Sequence, residues 1–116
     1  MIVAIVRFAL PAPVSLEEAA RMFESSAPKY QGLPGLVRKY YIRAEDGRSA
    51  GGVYLWESRA AAEAWYTDKL LASLTERFGV KPRLTWYDTH VTVDNLKGET
   101  RVDGIPLVEA SSVAAE

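Results

Sequence analysis

The sequence predicts an α+β domain built in the order βαββαβ. Three observations carry that expectation. Four runs near positions 2–10, 36–45, 50–57 and 82–93 are rich in β-branched and aromatic residues. Two stretches, one after the first run and one after the third, repeat apolar residues at helical spacing. The second and third runs are joined by Asp46-Gly47, a dipeptide that favours a hairpin.

The elements follow in order. Residues 2–10 are apolar on both alternating faces, as a central strand requires, and Pro11 and Pro13 end the run. Ser15 opens a helix, and Glu18 stands at capping-box spacing from it, so each side chain can satisfy a free backbone N–H. Leu16, Ala20, Phe23 and Ala27 form the apolar face. Pro28 closes the helix, and residues 32–35, Gly-Leu-Pro-Gly, turn the chain. Strands two (36–45) and three (50–57) flank the Asp-Gly turn, whose two residues are both expected at positive φ. Ser58 caps a helix from Arg59 to about Thr67, and Asp68 starts a further piece. That piece turns Leu70, Leu71, Leu74 and Phe78 inward and stops at Gly79. Pro82 opens a fourth strand that is expected to run to about Val93.

This order is the split-βαβ, ferredoxin-like arrangement: a four-stranded antiparallel sheet with both helices on one face. Strands that are apolar on both faces need cover on the second one. A two-fold homodimer packed sheet to sheet, a dimeric α/β barrel, is the simplest cover. Residues 1–95 are assigned to this domain and residues 96–116 to a C-terminal tail, partly disordered or a dimer arm. Residues 105–108 would dock on the partner, and residues 111–116 are expected to be poorly ordered.

Bulk properties exclude several functions. A length of 116 residues suits one domain, and a net charge of −1 gives no footprint for nucleic acid or an anionic membrane. The apolar start is too short to span a bilayer and is interrupted by Arg7, so it reads as a strand rather than a signal peptide. The absence of cysteine removes disulfides, thiolate metal sites and cysteine nucleophiles, and fits the reducing cytoplasm. With one histidine, no G-x-G-x-x-G and no Walker loop, neither a metal nor a nucleotide cofactor is expected.

Three segments carry a resemblance: Gly35-Leu-Val-Arg-Lys-Tyr-Tyr41, then Ala50-Gly-Gly-Val-Tyr-Leu-Trp-Glu-Ser58, then the Ala-rich helix with Trp65-Tyr66. Tyr87-Asp88 and Val93-Asp94-Asn95 add to it. Over residues 2–95 the chain resembles the YdhR-like mono-oxygenase family. The resemblance implies a dimeric α/β barrel and a cofactor-independent oxygenase. His90 lies outside the pattern the resemblance rests on.

The residues suggest where chemistry would sit. A two-residue Asp46-Gly47 turn pairs Glu45 with Arg48, Tyr41 with Gly52, Lys39 with Tyr54 and Val37 with Trp56. One sheet face then gathers Lys39, Tyr41, Tyr54 and Trp56 around a gap at Gly52, and Leu36, Arg38, Tyr40, Ile42, Val53 and Leu55 take the other. A three-residue turn would instead set Tyr40 opposite Tyr54. On the first register, Lys39 would stabilise an oxyanion or act as base, with Tyr41 hydrogen-bonding the substrate oxygen. Tyr54 would share that bond, while Trp56, Trp65 and Tyr66 wall an aromatic ligand. The plainer alternative makes these aromatics core and dimer packing. Gly51-Gly52 marks a bulge or a close approach to the backbone. His90 and Asp88, two apart on a strand, form either a proton-transfer pair or a polar edge pair. Three functions follow: a cofactor-free monooxygenase on an aromatic small molecule, an isomerase or cyclase using a Lys39 or His90 proton shuttle, or a non-catalytic hydrophobic-metabolite or stress-response module.

Overall fold

The computed structural model describes residues 1–107. Seven strands and three helices follow one another as β1 (Ile2–Ala9), α1 (Leu16–Ser26), β2 (Leu36–Arg43), β3 (Ser49–Trp56), α2 (Arg59–Trp65), α3 (Asp68–Phe78), β4 (Arg83–Asp88), β5 (Val91–Asp94), β6 (Glu99–Val102) and β7 (Ile105–Pro106). The main sheet has the order β2-β3-β1-β4 and is antiparallel throughout, with the helices on one face. This is the fold expected from the sequence. Among the described residues no helix is long and apolar enough to cross a membrane.

Local signals account for the helices. The Ser15–Glu18 capping box is formed in both directions, at 3.1 and 3.3 Å. A short 3-10 turn (Ala27–Lys29) that contains Pro28 follows α1. Ser58 caps α2 and Thr67 caps α3, so the expected break between the two helical pieces is real. Gly79 ends α3 in the left-handed region, at φ +73°. Alternation then fixes the layers. Ala4, Val6 and Phe8 of β1 share one buried face with Tyr54 and Trp56 of β3, and the helices close over it with Ala62, Tyr66, Leu70, Leu74 and Phe78. The opposite face presents Val3, Ile5, Val53 and Leu55 only half-buried, with Tyr40 and Tyr87 exposed.

The hairpin keeps the expected register with a different loop. Tyr41 pairs with Gly52 and Lys39 with Tyr54. The connection is closed by Ala44 N–H donating to Ser49 O (2.9 Å) and Gly47 N–H to Ala44 O (2.8 Å). Gly47 alone in the loop has positive φ (+72°); Asp46 does not, and instead accepts the Arg48 N–H on its carboxylate at 2.9 Å. A four-residue loop differs from a two-residue one by an even number, so every side chain keeps its face.

Two expectations are corrected. Val37 does not oppose Trp56: the register shifts between Leu36 and Arg38, Leu36 takes the place beside Trp56, and Leu36 therefore packs on the core rather than on the opposite face. The fourth strand does not reach Val93. Its partner β1 begins at Ile2, which pairs with Asp88, and beyond that no ladder remains. Thr89 N–H closes on Met1 O (3.0 Å), and the chain finds a new partner in β6. Residues 91–106 thus form a second, three-stranded sheet, tied back by an Arg38–Asp94 ion pair at 3.6 Å. The expected tail contributes β6 and β7 to it. The expectations for residues 108–116 lie outside the described residues.

The pair Gly51-Gly52 is a close approach twice over. A Cβ on Gly51 would stand 1.8 Å from the Val6 carbonyl oxygen of β1. Gly51→Ala therefore forces the two central strands apart and is expected to cost ~2–3 kcal/mol in urea unfolding. Gly32→Ala, at φ +76° but with nothing within 4 Å, serves as the comparison at ~1 kcal/mol. Equal losses at the two positions would refute the packing account.

Candidate active site

A cavity of about 250 Å³ lies between the main sheet and the helices, just below the range usual for small-ligand sites. Its floor is made by Val6, Phe8, Lys39, Tyr41, Gly52 and Tyr54. Helix α1 contributes Met22, Phe23 and Ser26, and α3 contributes Leu70, Ser73, Leu74, Arg77 and Phe78. Tyr30 and Trp65 complete the wall. Tyr30, Lys39 and Tyr41 also line a more open groove along β2, so they stand between the cavity and that outer groove.

Lys39 is the centre of the arrangement. Its Nζ lies 3.4 Å from the ring centroid of Tyr30, 3.8 Å from that of Tyr41 and 4.6 Å from that of Tyr54. Glycine at 52 makes this possible. A Cβ there would meet Lys39 Cε at 2.8 Å and the Tyr54 ring at 2.9 Å, so the expected gap is filled by the lysine's own stem. Ring faces favour the ammonium form, by ~2 kcal/mol when desolvated. Loss of water works against it, and no described carboxylate pairs with the amine. Burial brings the Lys39 pKa down to about 7.

The tyrosines remain neutral donors. Burial pushes the Tyr54 and Tyr66 phenols far up, and raises that of Tyr41. Tyr41 Oη and Ser26 Oγ share a hydrogen bond at 2.7 Å in which either hydroxyl can donate, and Ser26 Oγ also lies 3.2 Å from Phe23 O, so the serine proton can turn to either acceptor. Tyr54 Oη lies 3.5 Å from Tyr30 Oη. The indole N–H of Trp65 is buried and makes no hydrogen bond among the described residues, an unmet donor in the cavity wall.

Five of the eight residues chosen from the sequence line the cavity: Lys39, Tyr41, Gly52, Tyr54 and Trp65. Trp56 and Tyr66 stand behind it. Trp56 stacks on Tyr54 with centroids 6.1 Å apart and donates its indole N–H to Tyr66 Oη at 3.2 Å. His90 is outside. It sits in the break between β4 and β5, its side chain 69% exposed, with Nδ1 2.9 Å from Asp103 rather than paired with Asp88 along one strand. Sequence reasoning missed Tyr30 and Ser26. An aromatic residue in a short polar connection, where no strand or helix requires one, was the available signal for Tyr30. Among the described residues no group of three or more His, Asp or Glu side chains is placed to hold a metal ion.

Residues 3–89 match the family described as "Putative mono-oxygenase ydhR". The chain belongs to this family. No curated protein matches it. Two solved structures place the mono-oxygenase family member among similar folds. One is a monooxygenase from the gene ActVA-Orf6 of Streptomyces coelicolor in complex with nanaomycin D, 19% identical, with a TM-score of 0.60 over 80% of this chain and 90% of that one. The other is SnoaB, a cofactor-independent oxygenase from Streptomyces nogalater, 19% identical, with a TM-score of 0.56 over 79% of this chain and 95% of that one. At these identities the likeness is one of fold.

The lysine's depressed pKa has a thermodynamic signature. The unfolded chain, with an ordinary lysine near 10.4, binds more protons than the folded one between pH ~7 and ~10.4. Stability therefore rises with pH across that window, and the buried ammonium is a burden below it. Lys39→Met is expected to gain stability relative to the parent at pH 6 and to lose that advantage by pH 10, read from urea midpoints. A difference independent of pH would mean that Lys39 titrates normally.

Proposed function

We propose that this family member is an oxygenase for an aromatic small molecule with an ionisable ring oxygen or an activated ring CH₂, and that Lys39 is its base. The carrying observation is a primary amine poised at about pH 7 inside an aromatic cavity. The neutral amine takes a proton from the substrate, and the resulting ammonium stays beside the anion it has created. Tyr41 and Tyr54, held as neutral phenols, donate hydrogen bonds to the developing oxyanion. Trp65 forms the wall, Gly52 keeps the room that the lysine stem occupies, and Trp56 and Tyr66 brace the tyrosines from behind. The proton step is assigned to Lys39 rather than His90, whose imidazole is exposed to solvent outside the cavity.

The electron-rich anion supplies the electrons for oxygen. For a ring CH₂ across the ring from a conjugated carbonyl, CH₂ and O₂ become C=O and H₂O, with no outside reductant. The fold likeness to SnoaB, described as cofactor-independent, supports this reading. The half-buried Val3, Ile5, Val53 and Leu55, with exposed Tyr40 and Tyr87, support a two-fold, sheet-to-sheet dimer that would complete a barrel.

Two measurements test these statements. With an anthrone in flavin-free, chelator-treated buffer, one O₂ is expected to be consumed per quinone formed. The rate should fall about tenfold per pH unit below 7 and level off above it, and Lys39→Met should lower kcat ~10²–10³-fold. A product of unchanged mass would point to an isomerase instead. Sedimentation should give twice the chain mass, and Val53→Asp should reduce it to the single chain. A monomeric parent protein would remove the barrel from the proposal.

A further inference from the structure

Among the described residues the ionisable side chains other than tyrosine that line the cavity are all basic. They are Lys29, Lys39 and Arg77, with no aspartate or glutamate, although the chain as a whole holds 15 acidic residues and 14 basic ones. The cations are not in one place. Lys39 pairs with Tyr54, which pairs with Ala4 of β1. Arg77 adjoins Phe78, whose ring packs on Phe8 at 4.5 Å, four residues farther along β1. The lysine stem reaches Gly52, which pairs with Val6, so the offset along β1 is two residues, ~7 Å, and β2 stands two strand spacings, ~10 Å, from β1. The amine and the guanidinium therefore belong to opposite ends of the apolar space.

Arg77 has the geometry of a mouth residue. It is exposed, it lies in the last turn of α3, and among the described residues it makes no ion pair or hydrogen bond; its one recorded partner is the ring of Phe78, 5.4 Å away. Ser73, one helical turn earlier, is also exposed and also lines the cavity. A guanidinium offers two parallel N–H donors that match a carboxylate, and the serine hydroxyl adds a third donor on the same helix face.

We infer that the ligand is an elongated aromatic acid, with its ionisable ring oxygen at Lys39 and a carboxylate at the other end held by Arg77 and Ser73. This rests on the aromatic-substrate reading above and adds the second charged group. A neutral hydrocarbon would leave the Arg77 guanidinium facing an apolar ligand, and a cationic one would be repelled by Arg77 and Lys29. The tether also orients the ring, because one end fixed at α3 leaves the other directed to the tyrosine cage.

Calorimetric titration of the full chain at pH 8 with three probes decides the matter: 6-hydroxy-2-naphthoate, its methyl ester and 2-naphthol. The acid is expected to bind at least ~10-fold more tightly than the ester. Arg77→Gln should abolish most of that difference, and Arg77→Lys should keep part of it, with the thermal midpoint unchanged. The inference is overturned if acid and ester bind equally to the parent protein, or if Arg77→Gln weakens both alike. Binding of 2-naphthol, weakened by Lys39→Met, reports separately on the aromatic-substrate reading. If 2-naphthol does not bind while the acid–ester difference persists and depends on Arg77, the carboxylate site stands and the reading of Lys39 falls. Failure of all three probes to bind overturns both.

Discussion

A side chain on a strand has two directions open to it, and for Lys39 the choice is made by the length of the loop between β2 and β3. An even number of loop residues sends Lys39 and Tyr41 to the side where Tyr54 and the helices are; an odd number would send them to the open face. The helices, the cavity and the amine's surroundings all depend on that parity. The loop is held to it by the Ala44–Ser49 and Ala44–Gly47 backbone bonds and by a left-handed glycine. Once the amine is inside, its environment follows: ring faces on three sides, burial and, among the described residues, no counter-charge.

The aromatic residues behave as one connected body rather than as separate contacts. Tyr30 touches Tyr41, Tyr54 and Trp65, and Tyr54 touches Trp56 and Tyr66, which in turn meets Trp86. Most of these pairs meet edge to face, the arrangement preferred by ring quadrupoles. The cavity is thus lined by rings that are themselves clamped from behind, which is how a small domain keeps an apolar hollow open beside a charged group. The family to which the chain belongs and the solved folds it resembles are described as oxygenases. A rigid, dry, electron-rich enclosure is the physical requirement that such chemistry would place on the protein.

The sequence revealed the element order and the shared face of Lys39, Tyr41 and Tyr54, because both depend on local signals: caps, turn residues and alternation. It did not reveal what depends on distant partners. The end of β4 is set by where β1 starts, and nothing near Asp88 announces that. Leu36 changes face through a one-residue bulge that the hydrophobic pattern tolerates equally well either way. Tyr30 could not be placed because it belongs to no periodic element and is positioned by the 3-10 turn around Pro28. His90 and Asp88 illustrate the converse error. Their spacing made sense on a continuous strand, and the strand is broken between them.

The absence of a side chain at position 52 also decides where the amine rests. Lysine at 39 and any larger residue at 52 compete for the same volume, since a single added carbon would sit 2.8 Å from the lysine stem and 2.9 Å from the Tyr54 ring. The stem is the more flexible of the two, so an added methyl would swing the amine off its ring faces without touching the backbone. Position 52 thus steers a charge it never contacts through any polar atom of its own.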